Sequence, residues 1–131
     1  MANIALIAHN VDTANAVERM KLALTVPHAR VLRLMRIRYD TTGCPIAREE
    51  VVLPLDRFPN LTADVSDITE LAQCYGLSLG RASERVDIVP ASRGVAMHLG
   101  VTAGANVLKL DRVVETVDGA PVEWRVTFRK I

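Results

Sequence analysis

The chain has 131 residues, 50% of them hydrophobic, enough for one core and too few for two comfortable domains. Sixteen Lys and Arg against fifteen Asp and Glu leave a formal charge of +1, with no run of basic residues suited to tracking a phosphate backbone. Only 4% of residues are aromatic, too few for a base-stacking platform, so a pocket rather than a nucleic-acid surface is expected.

Asn3 to His9 reads as a short apolar strand, and no Lys or Arg precedes it, so the flanks of a signal peptide are missing. Asp12 or Thr13 can cap a helix whose apolar positions Ala16, Val17, Met20, Ala23 and Leu24 recur at helical spacing until Pro27 stops it. Strand character runs from Arg30 to Tyr39, turns through Asp40-Thr41-Thr42-Gly43 and returns from Pro45 to Leu55 as a hairpin. A loop with Pro59 and Asn60 leads to a helix that starts at Ser66 or Asp67 and ends at Tyr75-Gly76. Ala82 to Val89 then gives a strand, Ser92 to Leu99 a helix, and Val107 to Val117 and Ala120 to Arg129 a second hairpin turning at Asp118-Gly119.

That order is one unit used twice. Residues 31–46 and 107–122 align without a gap and share six identities, Val31/Val107, Leu32/Leu108, Leu34/Leu110, Arg36/Arg112, Gly43/Gly119 and Pro45/Pro121. With one residue of slippage Ala14, Met20, Leu22 and Thr25 also match Ala91, Met97, Leu99 and Thr102. Two strand-helix-hairpin units predict an α+β domain: a single, largely antiparallel sheet of about six strands with helices against one face.

The comparison of copies also indicates which side of the strands faces inward. Leu108, Leu110, Arg112 and Val114 are mostly apolar, whereas Lys109, Asp111 and Glu115 alternate with them, so by equivalence Arg36 and Arg38 point inward with Leu32 and Leu34. An arginine there needs a carboxylate, carbonyls or a bound anion. Glu49 or Glu50 on the neighbouring hairpin strand, or Glu123 on the last, could neutralise Arg36, Arg38 and Arg112; alternatively Arg36 and Arg38, at i and i+2, together grip an anionic ligand. On the last strand Glu123, Arg125, Thr127 and Arg129 alternate with Val122, Trp124, Val126 and Phe128, and the polar row reads as solvated. His9, His28 and His98 share no motif with an acid, Cys44 and Cys74 read as a reduced pair, and no nucleophile elbow, P-loop or zinc spacing is present. No catalytic residue, metal site or cofactor is therefore expected. No stretch nears the roughly eighteen apolar residues of a membrane span, and a cytoplasmic location is expected.

The ordered series Leu34-Met35-Arg36-Ile37-Arg38, Pro45-Ile46-Ala47-Arg48-Glu49, Val52-Leu53-Pro54, Phe58-Pro59 and Tyr75-Gly76 continues with Glu84, Ala96-Met97-His98-Leu99-Gly100-Val101 and Asp118-Gly119-Ala120-Pro121-Val122-Glu123. Through it nearly the whole chain resembles the UTRA domain. That domain is the C-terminal effector-binding part of HutC-type regulators of the GntR family and is similar in fold to chorismate lyase. The resemblance implies a homodimeric sensor of a small anionic metabolite, a sugar phosphate or a carboxylate. It acts on DNA only through a winged-helix domain, which normally precedes it and for which there is no room before Asn3. The chain is expected to be an effector-domain fragment or a freestanding member, and the end at Arg129-Lys130-Ile131, straight out of a strand, favours a fragment. The resemblance further implies ligand contacts from Arg36, Arg38, Glu49, Ser66 and Glu123. Two departures bear on the ligand: Ile68 stands where many relatives carry tyrosine, and the short segment that helps grip phosphate in some relatives is absent.

The competing expectations are a lyase acting on a carboxylated ring substrate, suggested by the shared fold, and a dimerisation module with a vestigial pocket. Positions where the two copies differ, Arg38 against Val114 and Glu123 against Ala47, mark residues the fold did not require and hence the best ligand-site candidates.

Overall fold

A computed structural model of the chain describes residues 3–65 and 67–131. Along the chain run β1 (Asn3–Thr13), α1 (Ala16–Lys21), β2 (Arg30–Tyr39), β3 (Pro45–Pro54), α2 (Ile68–Cys74), β4 (Leu79–Pro90), α3 (Arg93–Leu99), β5 (Asn106–Thr116) and β6 (Pro121–Lys130). The strands form one six-stranded antiparallel sheet in the order β1-β2-β3-β6-β5-β4. This is the α+β architecture expected from two strand-helix-hairpin units.

The order is symmetric about the β3–β6 pair, and so is the register. Glu50 lies opposite Val126, while Glu49 and Val51 lie opposite Thr127 and Arg125. The 76-residue offset that aligns the repeats carries Glu50 onto Val126, so the two copies are related by a pseudo-two-fold axis through the middle of the sheet.

Local chemistry explains where the boundaries differ from expectation. The α1 cap is Asn15, not Asp12 or Thr13, because β1 keeps pairing with β2 as far as Thr13. The Asn15 side chain accepts from the Glu18 N–H at 2.8 Å while the Asn15 N–H donates to Glu18 Oε1 at 2.9 Å, a reciprocal capping box. The helix stops well before Pro27. Leu24 N–H bonds the Arg19 carbonyl at 2.9 Å with Ala23 at φ 51°, a left-handed reversal that ends α1 at Lys21. Asp67 caps α2, and Ser92 caps α3, which Gly100 closes at φ 68°.

The helices do not share one face as expected. Ile68 and Leu71 of α2, with Phe58 from the preceding loop, cover Leu32, Leu34, Val51, Leu53, Val114 and Val122. Helix α1 covers Val31 and Val52 on the opposite side, and α3 covers Val107 there. Both faces of the central strands are thereby shielded, which is why β3 ends in the unbroken apolar run Val51-Val52-Leu53-Pro54. The edge strands β1 and β4 instead expose Ile4, Leu6, Val11, Val86 and Ile88.

Two features anchor this scaffold. Gly80 begins β4 where a Cβ would stand 2.8 Å from the Val117 Cα and 2.9 Å from the Thr116 carbonyl oxygen, space that only a missing side chain leaves. Gly80→Ala should therefore destabilise the domain by about 1–3 kcal/mol, read as a lower urea midpoint with an unchanged slope. Glu18 is buried and receives Arg33 Nε at 2.6 Å and Nη2 at 2.8 Å. Those bonds hold its carboxyl below the ordinary value of 4.5, so its contribution is complete above that value and is lost as the pH falls through the lower folded value. Unfolding midpoints followed through the acid range should fall more steeply for the wild type than for Glu18→Gln.

Candidate functional site

The alternation of β2 carries Leu32, Leu34, Arg36 and Arg38 on the α2 side of the sheet, and the row changes from apolar to cationic halfway along. The inward placement inferred from the repeat holds: Leu34 and Arg36 are each only 3% exposed, while Arg38 at the end of the row is partly open to solvent. Directly across from Arg36, β3 presents Glu49, itself 4% exposed.

Three guanidinium groups converge on that one carboxylate. Arg36 Nη2 lies 3.1 Å from Glu49 Oε1, Arg38 Nε donates to Oε2 at 2.8 Å, and Arg125 Nη1 stands 3.8 Å from Oε2. Arg36 also donates from Nη1 to the Val65 carbonyl at 2.9 Å, tying the loop before α2 to the sheet. Arg36 and Arg38 thus do act side by side on a carboxylate, and within the protein that carboxylate is Glu49.

The second copy contributes the other half. Glu123, 2% exposed, accepts from Arg112 Nη2 at 3.2 Å, and Arg112 Nε is buried without a hydrogen-bond partner among the described residues. Arg112 and Arg125 face each other directly across β5 and β6, a like-charge pair that costs stability in isolation. Burial lowers the Arg125 pKa first of all; Arg112 and Arg36 push the same way, and Glu123 and Glu49 oppose them. No hydrogen bond from the Arg125 guanidinium is found among the described residues.

The polar row of β6 is therefore not solvated as expected. Glu123 and Thr127 are buried and Arg125 nearly so, because β6 is a central strand flanked by β3 and β5. The position of β6 in the sheet could not be read from its own alternation. Arg125 is the residue that the sequence reasoning missed, and the repeat held the signal: the offset that pairs Arg36 with Arg112 also pairs Glu49 with Arg125. Of the five expected ligand residues, Arg36, Arg38, Glu49 and Glu123 lie on this face, while Ser66 falls outside the described residues.

A cavity of about 370 Å³ opens over the cluster, with Arg38, Glu49, Arg125 and Thr127 on its floor and Glu84 and Arg129 at its rim. Four inward arginines, 36, 38, 112 and 125, face two buried glutamates, 49 and 123, and the rim pair Glu84 and Arg129 cancels, so two positive charges remain in excess. An excess of this kind in a partly desolvated setting suits charge-assisted hydrogen bonds to an anion.

The UTRA domain model matches residues 3–129. The chain belongs to the UTRA domain family. Among solved structures, it is similar to the possible transcriptional regulator YydK from Bacillus subtilis at TM-score 0.89 and 17% identity, matching 98% of this chain and 58% of that one. The ligand-binding domain of a putative GntR-family transcriptional regulator from Bordetella bronchiseptica superposes at TM-score 0.88 with 25% identity, covering 98% of this chain and 84% of that one. For the effector domain of PhnF from Mycobacterium smegmatis the values are 0.87 and 25%, with 99% and 81% covered. The UTRA chain described here thus spans little more than half the length of YydK.

The shared Glu49 carboxylate makes a direct prediction. Glu49→Ala removes the common partner of three arginines and should cost about 3–5 kcal/mol in calorimetric stability, with added sulfate recovering part of the loss in the variant and much less in the wild type.

Proposed function

We propose that this UTRA domain is the ligand-sensing part of a GntR/HutC-type transcription regulator. A small anionic metabolite, a sugar phosphate or a carboxylate, binds over the arginine row, and the response passes to a winged-helix DNA-binding domain elsewhere in the regulator. The observation that carries this reading is the uncompensated charge: a half-desolvated Arg125 beside a buried Arg112–Glu123 pair and an Arg36–Glu49–Arg38 cluster. An anion arriving there satisfies guanidinium groups that the protein leaves short of partners, so its binding energy is large for its size.

Each residue of the site takes its own part in that binding. Arg38 and Arg125 line the open cavity and bind the anionic group; Arg36 holds Glu49 and the Val65 carbonyl and so positions the α2 loop against the ligand. The family resemblance assigns Ser66, next to Val65 in the sequence, a hydroxyl for the anion, while Ile68 packs in the hydrophobic core between α2 and the sheet. Glu49 and Glu123 are left to accept from hydroxyl or amino groups of the same ligand. The apolar residues exposed on the edge strands β1 and β4 support a homodimer in which a second copy covers them.

A thermal-shift screen of phosphorylated sugars, amino-acid catabolites and small organic acids tests the reading. A ligand at about 100 times its dissociation constant adds roughly 2.7 kcal/mol of stability. Arg38→Ala should abolish the shift of the best hit, and Ser66→Ala should reduce it less, since a neutral hydrogen bond is worth less than a charged one. A normal response in Arg38→Ala would remove the anion-binding assignment. Release of pyruvate and 4-hydroxybenzoate from chorismate would replace the sensor by a lyase.

A further inference from the structure

The face of the sheet turned away from the arginine row carries a larger feature. Helix α1 packs near one end of that face and α3 near the other, and between them an open cavity of about 670 Å³ remains. This lies within the roughly 300–1,000 Å³ of small-molecule sites. Its floor is the alternate row of the same strands: Met35 from β2, Glu50 and Val52 from β3, and Trp124, Val126 and Phe128 from β6, with the half-exposed Glu50 carboxylate facing Arg48 at 3.9 Å.

The α1 end of the cavity is fixed and electrically closed. The Trp124 indole N–H donates to Asp111 Oδ1 at 2.9 Å, and Lys21 lies 3.4 Å from the other oxygen of that carboxylate and 5.7 Å over the indole ring. Arg33 is bound to Glu18 and Asp12, so each charged group at this end already has its counterpart.

The α3 end is different. Arg48, Phe128 and Lys109 form one cross-strand row, with a cation on either side of the ring. Lys109 lines the cavity and has no hydrogen bond or ion pair among the described residues. Arg48 is largely buried; its Nε has no hydrogen-bond partner, and its one ion-pair contact among the described residues is Glu50 at 3.9 Å. Aromatic rings along the floor and Lys109, unpaired among the described residues, at one end define an amphipathic ligand, with Arg48 outside the lining on the far side of Phe128.

We propose that this cavity is a second binding site, on the opposite face of the sheet from the arginine row, for a flat aromatic molecule bearing one carboxylate. The ring system lies on Trp124 and Val126, and the carboxylate reaches Lys109 beside Phe128. The apolar floor offers a sugar phosphate little, so the two sites select different chemistry. They are back to back on β6, whose Arg125 and Thr127 face one and whose Trp124, Val126 and Phe128 face the other.

Trp124, the chain's only tryptophan, provides the readout. In a ¹H–¹⁵N titration with 1-naphthoate its indole N–H resonance should shift saturably, together with β5 and β6 amides around Lys109 and Phe128. Lys109→Glu, a partly exposed position that the fold tolerates, should weaken naphthoate by about fivefold, the size of one exposed charge contact. The same substitution should leave neutral 1-naphthalenemethanol unaffected. Val126→Phe should fill the floor and weaken both compounds, whereas Arg38→Ala should leave naphthoate binding intact. An indole resonance that stays put at millimolar naphthoate, or equal midpoints in the wild type and Lys109→Glu, would overturn the proposal.

Discussion

The antiparallel pairing of β3 with β6 is the constraint on which this domain rests. It joins two copies of one strand-helix-hairpin unit along their inner strands, with Glu50 opposite Val126 at the pseudo-two-fold axis. Because both strands are central, each of their faces must be covered, and residues that alternate along them are delivered to opposite sides of the molecule. A one-residue slip of β6 against β3 would exchange the faces of β6, sending Arg125 to the α1 and α3 side, away from Glu49, and Trp124 and Phe128 to the α2 side. The register of this one pair thus sets both the arginine row and the aromatic floor behind it.

Duplication also explains how a binding site arises at the join. Arg36 and Arg112 are equivalent in the two copies and belong to the shared scaffold, each meeting a glutamate: Glu49 from its own hairpin for the first, Glu123 from its own hairpin for the second. The partners themselves are not equivalent, since Glu49 matches Arg125 and Glu123 matches Ala47 under the repeat. Breaking the symmetry at those positions changes where the charge sits: a symmetric pair built on the first copy would hold arginines at 36, 38, 112 and 114 against glutamates at 49 and 125, the same excess of two shared equally between the hairpins. Divergence instead sets Arg125 beside Glu49 at the join while the repeated positions keep the sheet intact.

Burial makes that imbalance consequential. On an open surface an arginine excess is screened by water and salt, and its pairs are worth little. Here Arg36, Glu49 and Glu123 are almost wholly removed from solvent, and Arg125 is held where desolvation works against its own charge. The α2 loop, drawn in by the bond from Arg36 to the Val65 carbonyl, completes that environment.

Much of this was written in local sequence. The duplicated unit, the six strands, the turn glycines and the capping residues Asp67 and Ser92 follow from short-range chemistry, and the repeat was enough to turn Arg36 and Arg38 inward with Leu32 and Leu34. The motif series likewise identified the family, because it depends on residue order alone. What alternation within one strand cannot show is which strand lies beside it. Only the tertiary structure made β6 central, buried a row that reads as solvated and added Arg125 to the site. It also divided the helices between two faces, leaving the gap behind the sheet. Those outcomes depend on contacts between segments some 75 residues apart, where the burial of each face is decided by its neighbours rather than by its own pattern.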